Sequence, residues 1–203
     1  MQTWAIGLII VGVIIVAICA AVGIYYLSLH IRRKNGTLAL SRVTSRLKRF
    51  AGVRSFEVLE DLTLTTGKKE TVKVDRALIT FNHVLLFDVR SECDSIYGDA
   101  KDPTWVSVKS DSHNNTLARK SFDNPFREAQ KANDAVRRIL AQNKLGKIQT
   151  EFYVVFPDPK VTLSIGSGMP VLGWKEFKSL LTRSKYSKDG PVDVKAVAEL
   201  LKK

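Results

Sequence analysis

"VDRALITFNHVLLFDVR", residues 74–90, decides the fold. Two runs rich in β-branched and aromatic residues, 71–81 and 84–89, flank Asn82-His83, a pair suited to a tight hairpin turn. The runs are apolar on both faces, with Ala77, Ile79 and Phe81 on one side and Val74 and Leu78 on the other. Strands of that kind sit in the middle of a sheet covered on both sides, which predicts an α/β layer structure. With the turn at Asn82-His83, Phe81 pairs with Val84, Asp75 faces Arg90, and Asp88 faces Ala77. Side chains alternate along a strand, so Asp75, Asp88 and Arg90 share a face, and the two carboxylates are diagonal neighbours about 7 Å apart. That spacing lets both hold one hard cation, Mg²⁺ or Mn²⁺. Such an ion lowers the pKa of a bound water and stabilises charge building on a phosphodiester, while Arg90 neutralises a phosphate. The same residues also read as a cross-strand ion pair of Asp75 with Arg90, worth about 0.2–1 kcal/mol. Spacing alone leaves both readings open.

Around this hairpin the other elements follow from periodicity. Residues 37–50 place Leu40, Val43, Leu47 and Phe50 on one helical stripe, with Arg42, Arg46, Lys48 and Arg49 off it. "FEVLEDLTL" (56–64) alternates as a strand, and Thr66-Gly67 marks a turn. Residues 91–124 read as a crossing loop with one or two short strands near "TWVSV" and "LARKSF". "DNPFREAQKANDAVRRILAQNKLG" is a helix with Asn124 as N-cap, Pro125 in the first turn and Gly146 as terminator. "EFYVVF", "KVTLSI", a Gly-rich turn "GSGMPVLG", a helix over "WKEFKSLLTRS" and an amphipathic end "VDVKAVAELLKK" complete the chain. His83 reads as a turn residue, His113 as a loop residue, and Trp105 as packing, although an aromatic near a site can stack a base. Three scattered histidines and one cysteine outside the apolar N-terminus give no zinc pattern.

The chain of 203 residues begins with an appendage. Residues 4–29 carry no Asp, Glu, Lys or Arg, and as a helix they span about 39 Å, more than the ~30 Å hydrocarbon core of a bilayer. The preceding "MQTW" lacks the basic charge of a signal peptide, and the apolar run is about twice the usual length of one. A retained single-pass anchor in contact with lipid is expected. Eight basic residues and no acid fall in 32–54, which places the N-terminus outside and the C-terminal domain in the cytoplasm at the cell membrane. Cys19 in the span and Cys93 outside it cannot pair. Asn35-Gly36-Thr37 and Asn114-Asn115-Thr116 match glycosylation sequons but would need the opposite topology. The net charge of +12 is concentrated after the span, where it suits anionic headgroups or a nucleic-acid backbone. The expected organisation is an anchor with its basic flank over 1–34, a globular domain over 35–185, and a C-terminal amphipathic helix over 186–203.

From Gly36 to Thr182 the series of motifs resembles the nuclease-related domain family, a branch of the PD-(D/E)xK nuclease superfamily. Its carriers are the helix "LSRVTSRL", "VDRALIT" in place of an Ile-Asp-His strand, "LLFDVR" in place of an acid-x-Lys strand, Trp105, Asn124-Pro125, and "FYVVF". The resemblance implies a restriction-endonuclease-like mixed sheet with helices on both faces, and metal-dependent cleavage of nucleic acid. It implies Asp75 and Asp88 as metal ligands and Arg90 at the position of the lysine. Departures are Leu40 where the family's first helix carries Glu, Asp88 for Glu, Arg90 for Lys, and Glu128 for Gln, with Gln130 two places on. Arginine keeps the charge but does not deprotonate. The resemblance therefore carries two functions: a Mg²⁺- or Mn²⁺-dependent nuclease at the membrane, or a degenerate module that binds nucleic acid or proteins of a membrane complex there. Arg42, Arg46, Lys48 and Arg49 are the candidate basic surface.

Overall fold

Thr3–Lys34 form one helix, α1, in a computed structural model that describes residues 3–34, 36–65, 71–111, 115–190 and 192–202. The expected turn at Thr66-Gly67, together with His113, Asn35 and Asn114, lies outside the described residues. The chain divides into two units, Met1–Leu38 and Ala39–Lys203. In the first, Val13–Arg32 has a mean hydropathy of 2.2 and is long and apolar enough to cross a membrane. A helix satisfies its own backbone hydrogen bonds, which a span in lipid requires.

The second unit contains a five-stranded mixed sheet of order β1-β2-β3-β7-β9, from β1 (Glu57–Thr65), β2 (Thr71–Ile79), β3 (His83–Val89), β7 (Gln149–Phe156) and β9 (Val171–Gly173). β1, β2 and β3 pair antiparallel, whereas β7 and β9 continue parallel to β3. On one face α2 (Thr37–Gly52) and α4 (Trp174–Leu181) bury Val43, Leu47, Phe177 and Leu180 against Leu78, Leu85 and Phe87. On the other, α3 (Pro125–Gln142) and α5 (Val194–Leu201) bury Ala132, Val136, Val197 and Leu201 against Ala77, Ile79, Val84 and Leu86. The doubly apolar hairpin is the centre of an α/β sandwich, and α5 belongs to its core. Each fully buried Leu, Ile, Val or Phe contributes about 1.5–3 kcal/mol.

Residues 91–124 are more ordered than their polarity suggests. β4 (Ser95–Gly98), β5 (Thr104–Ser110), β6 (Thr116–Asp123) and β8 (Thr162–Ile165) form a second, four-stranded sheet of order β6-β5-β4-β8. β5 and β6 are the short strands expected near "TWVSV" and "LARKSF", whereas β4 was not expected; β6 is exposed along nearly its whole length. Trp105 is fully buried between this sheet and the first, with Ile96, Ala129, Val154 and Phe156. It is packing, and a base cannot stack on it. A Cβ built on Gly98 would stand 2.4 Å from the Trp105 ring. Gly98→Ala therefore costs more than about 2 kcal/mol, read as a lowered urea midpoint, because the overpacked indole has no free space.

The hairpin turn differs from the expectation by one residue. Thr80 N–H donates to His83 O at 2.9 Å, and the Thr80 hydroxyl accepts from His83 N–H at 3.0 Å. The turn is therefore Phe81-Asn82, and Ile79 pairs with Val84. His83 is not a turn residue but the buried first residue of β3, edge-on to the Tyr186 ring. α3 also ends before Gly146: Asn143 caps it and Lys144 takes the left-handed conformation (φ 60°). Val74 joins Ala77 and Ile79 in one cluster instead of facing away from them. The alternation breaks where Asp61, also left-handed (φ 51°), lies between the Glu60–Arg76 and Leu62–Val74 pairs.

Candidate functional site

The corrected register changes how the polar residues of the hairpin meet. Pairing of β2 with β3 stops at Arg76–Phe87, and continuing it puts Asp75 across from Asp88, not from Arg90. There the ladder opens. Asp75 Oδ2 accepts the Val89 N–H at 2.7 Å, in the place of a backbone carbonyl. Its neighbour Arg76 is buried and turns to the α2 side, where Nε donates to Thr44 Oγ1 at 2.5 Å and Nη1 to Asp61 Oδ1 at 3.0 Å. Arg76 Nη1 also donates to the Asp75 carbonyl. The backbone at Asp75 is thus tied from one side and its carboxylate from the other.

Asp75, Asp88, Arg90 and Glu128 line a single cleft of about 250 Å³. Its helical wall is made by Ala129 and Ala132 of α3, side chains small enough to leave room. Arg90 does not cross to Asp75. It folds back along its own strand, with Nη2 at 2.7 Å and Nε at 3.0 Å from Asp88 Oδ2. The same Nη2 lies 3.3 Å from Glu128 Oε2. The Asp88 carboxyl is pushed up to about 7, chiefly by burial and also by the charges of Asp75 and Glu128, which together outweigh the lowering by Arg90. Burial alone would lower the Arg90 pKa, but Asp88, Glu92 and Glu128 outweigh it and the pKa rises. Lys73 also lines the cleft. The strand period could have found it, since residues two apart share a face. Gln130 is exposed and does not line the cleft.

The nuclease-related domain family matches residues 35–157, more than half of the chain. The chain belongs to this family. No curated protein and no solved structure gives a significant match. Within the nuclease-related domain, the acids of the two central strands and the first-turn acid of α3 converge on one cleft. Leu40, where the family carries Glu, packs beside Val43 and Leu47 and is not part of that cleft.

Mg²⁺ or Mn²⁺ would be the partner of such acids, and the donor set decides whether it fits. Among the described residues no group of three His, Cys, Asp or Glu side chains is placed to hold a metal ion. One oxygen of Asp75 is held by a backbone N–H, and one oxygen of Asp88 receives two guanidinium N–H bonds. Nη2 of Arg90 stands between Asp88 and Glu128. As arranged, these residues do not fit a divalent ion, because a guanidinium already sits where it would bind.

The candidate basic surface is divided. Arg42 donates to the Pro157 carbonyl at 2.9 Å, Arg46 is half-buried, and Lys48 pairs with Glu60 at 2.7 Å. Arg49 is exposed. Asn124-Pro125 has a structural task. Asn124 is buried, caps α3 through Oδ1, and donates Nδ2 to the carbonyls of Asp99, Ala100 and Asp102.

Proposed function

We propose that the chain is a single-pass membrane protein whose nuclease-related domain holds nucleic acid at the cytoplasmic membrane face without cutting it. The observation that carries the reading is the Arg90 guanidinium, bonded to Asp88 and within 3.3 Å of Glu128 in the inherited cleft. Family membership points to nucleic acid as the ligand class. Residues 35–203 hold 29 basic residues against 20 acids, a surplus that favours a phosphate backbone. The anchor over residues 4–29, and the uninterrupted basic run after it, support the membrane location and the orientation.

A second reading is Mg²⁺- or Mn²⁺-dependent phosphodiester hydrolysis, favoured by the convergence of Asp75, Asp88 and Glu128 on one cleft. The test is full-length protein in neutral detergent with labelled single- and double-stranded DNA and RNA. Anisotropy should report binding at low salt that weakens steeply as salt rises, with a log–log slope of about one for each phosphate neutralised. Lys48→Gln with Arg49→Gln should weaken binding and flatten that slope, and Asp75→Ala should leave both unchanged. Cleavage that needs metal and disappears in Asp75→Ala would establish the nuclease instead. No binding at low salt would turn the assignment toward protein partners in a membrane complex.

A further inference from the structure

Arg90 sits where the cleft concentrates negative charge. Its Nη2 is 2.7 Å from Asp88 Oδ2 and 3.3 Å from Glu128 Oε2, so one cationic nitrogen bridges two carboxylates. Nε adds a bond of 3.0 Å to the same Asp88 oxygen. The Arg90 side chain is 23 % accessible and that of Asp88 is 20 %, so solvent screens this contact poorly. A divalent cation needs several oxygens converging at about 2.0–2.6 Å, and the oxygens of Asp88 and Glu128 converge on nitrogen instead. A lysine could leave its charge behind by deprotonating, but a guanidinium keeps it at every accessible pH. Lys73 adds a second positive charge to the same lining.

We infer that Arg90 is the resident cation of this cleft, standing between Asp88 and Glu128 in place of a divalent metal ion. The wild-type cleft then binds neither Mg²⁺ nor Mn²⁺. Removing the guanidinium leaves Asp75, Asp88 and Glu128 without the cation that neutralises them, and the cleft becomes a divalent-cation site. The inference concerns the occupant of the cleft alone, and it stands or falls separately from nucleic-acid binding.

Mn²⁺ titration of the full chain in neutral detergent tests it, followed by the paramagnetic resonance signal of free Mn²⁺. Wild type should leave that signal undiminished. Arg90→Ala and the better space-filling Arg90→Met should each take up one Mn²⁺ per chain, at least ten-fold more tightly than wild type. Adding Asp88→Asn to either should abolish that uptake. Mg²⁺ should raise the melting temperature of the two arginine variants and leave wild type unmoved, since only a state that binds the ion gains stability from it. Saturable Mn²⁺ uptake by wild type that is lost in Asp88→Asn overturns the inference. So does a folded Arg90→Ala or Arg90→Met that takes up none. If both variants fail to fold, the wild-type titration still decides.

Discussion

Asn124→Ala lowers the stability of the domain by about 3–4 kcal/mol, the largest single-residue loss expected outside the apolar core. Two losses add. The side-chain oxygen that accepts the Phe126 N–H at 3.0 Å is an N-cap, worth about 1 kcal/mol. The amide nitrogen donates to the Asp102 carbonyl at 2.7 Å and to those of Asp99 and Ala100 at 3.1 and 3.3 Å. Asn124 is only 3 % exposed, so water cannot replace those bonds without opening the loop, and buried polar groups left unpaired cost about 1–3 kcal/mol each. Trp105 depends on the same loop, because its indole N–H donates to the Asp99 carbonyl at 2.9 Å. Asn124→Asp separates the two contributions. It keeps an acceptor for the cap and sets a carboxylate against three carbonyls, so it should be nearly as damaging as alanine. Urea unfolding followed by Trp fluorescence measures both. If Asn124→Asp keeps wild-type stability, the loop clamp contributes nothing.

Glu151→Ala costs about 3 kcal/mol, for a related reason. The carboxylate accepts the Tyr153 hydroxyl at 2.6 Å, the Tyr186 hydroxyl at 2.7 Å and Lys185 Nζ at 2.7 and 3.0 Å. Tyr186 is fully buried, so its hydroxyl has little access to water as a substitute. Burial alone would raise the Glu151 pKa, but the bonds from Lys185, Tyr153 and Tyr186 hold it below the ordinary value of 4.5. A depressed carboxyl stabilises the fold above its unfolded pKa, and that stability is lost as pH falls through the folded value. His83 beside it is also lowered, chiefly by burial, from an ordinary value of 6.5. The unfolded chain takes up that proton first, so stability begins to fall below about pH 6.5 through His83 and falls further below about 4.5 through Glu151. Melting temperature against pH should show both steps in wild type, and Glu151→Gln should lose the lower one. A Glu151→Gln profile identical to wild type would refute the assignment.

The legibility of the molecule follows the range of the interactions involved. Asn124-Pro125 at the start of α3 could be read directly, because a cap is built from residues two or three apart. The second sheet could be read only in pieces: short strands near 104–108 and 117–122 could be expected, but their assembly with β4 and β8 depends on pairing between residues far apart in the chain. The residues of the cleft were legible by chemistry and not by their bonding. Asp75, Asp88, Arg90 and Glu128 could be singled out, while their partners depended on where one turn sits. The Thr80 hydroxyl captures the His83 N–H, moves the turn to Phe81-Asn82, and sets Asp75 across from Asp88. With Asp75 taken by the Val89 N–H, Arg90 is left to Asp88 and Glu128.

The sequence by itself determined the apolar helix, the buried hairpin, the four helices that cover it and the family, since each is written in local periodicity or short ordered motifs. Only the tertiary structure decided the second sheet, the hydrogen-bonded cluster around Glu151, and the placement of a guanidinium among the acids of the cleft. A one-residue shift of a turn costs little in local energy, yet it re-pairs every side chain across the hairpin.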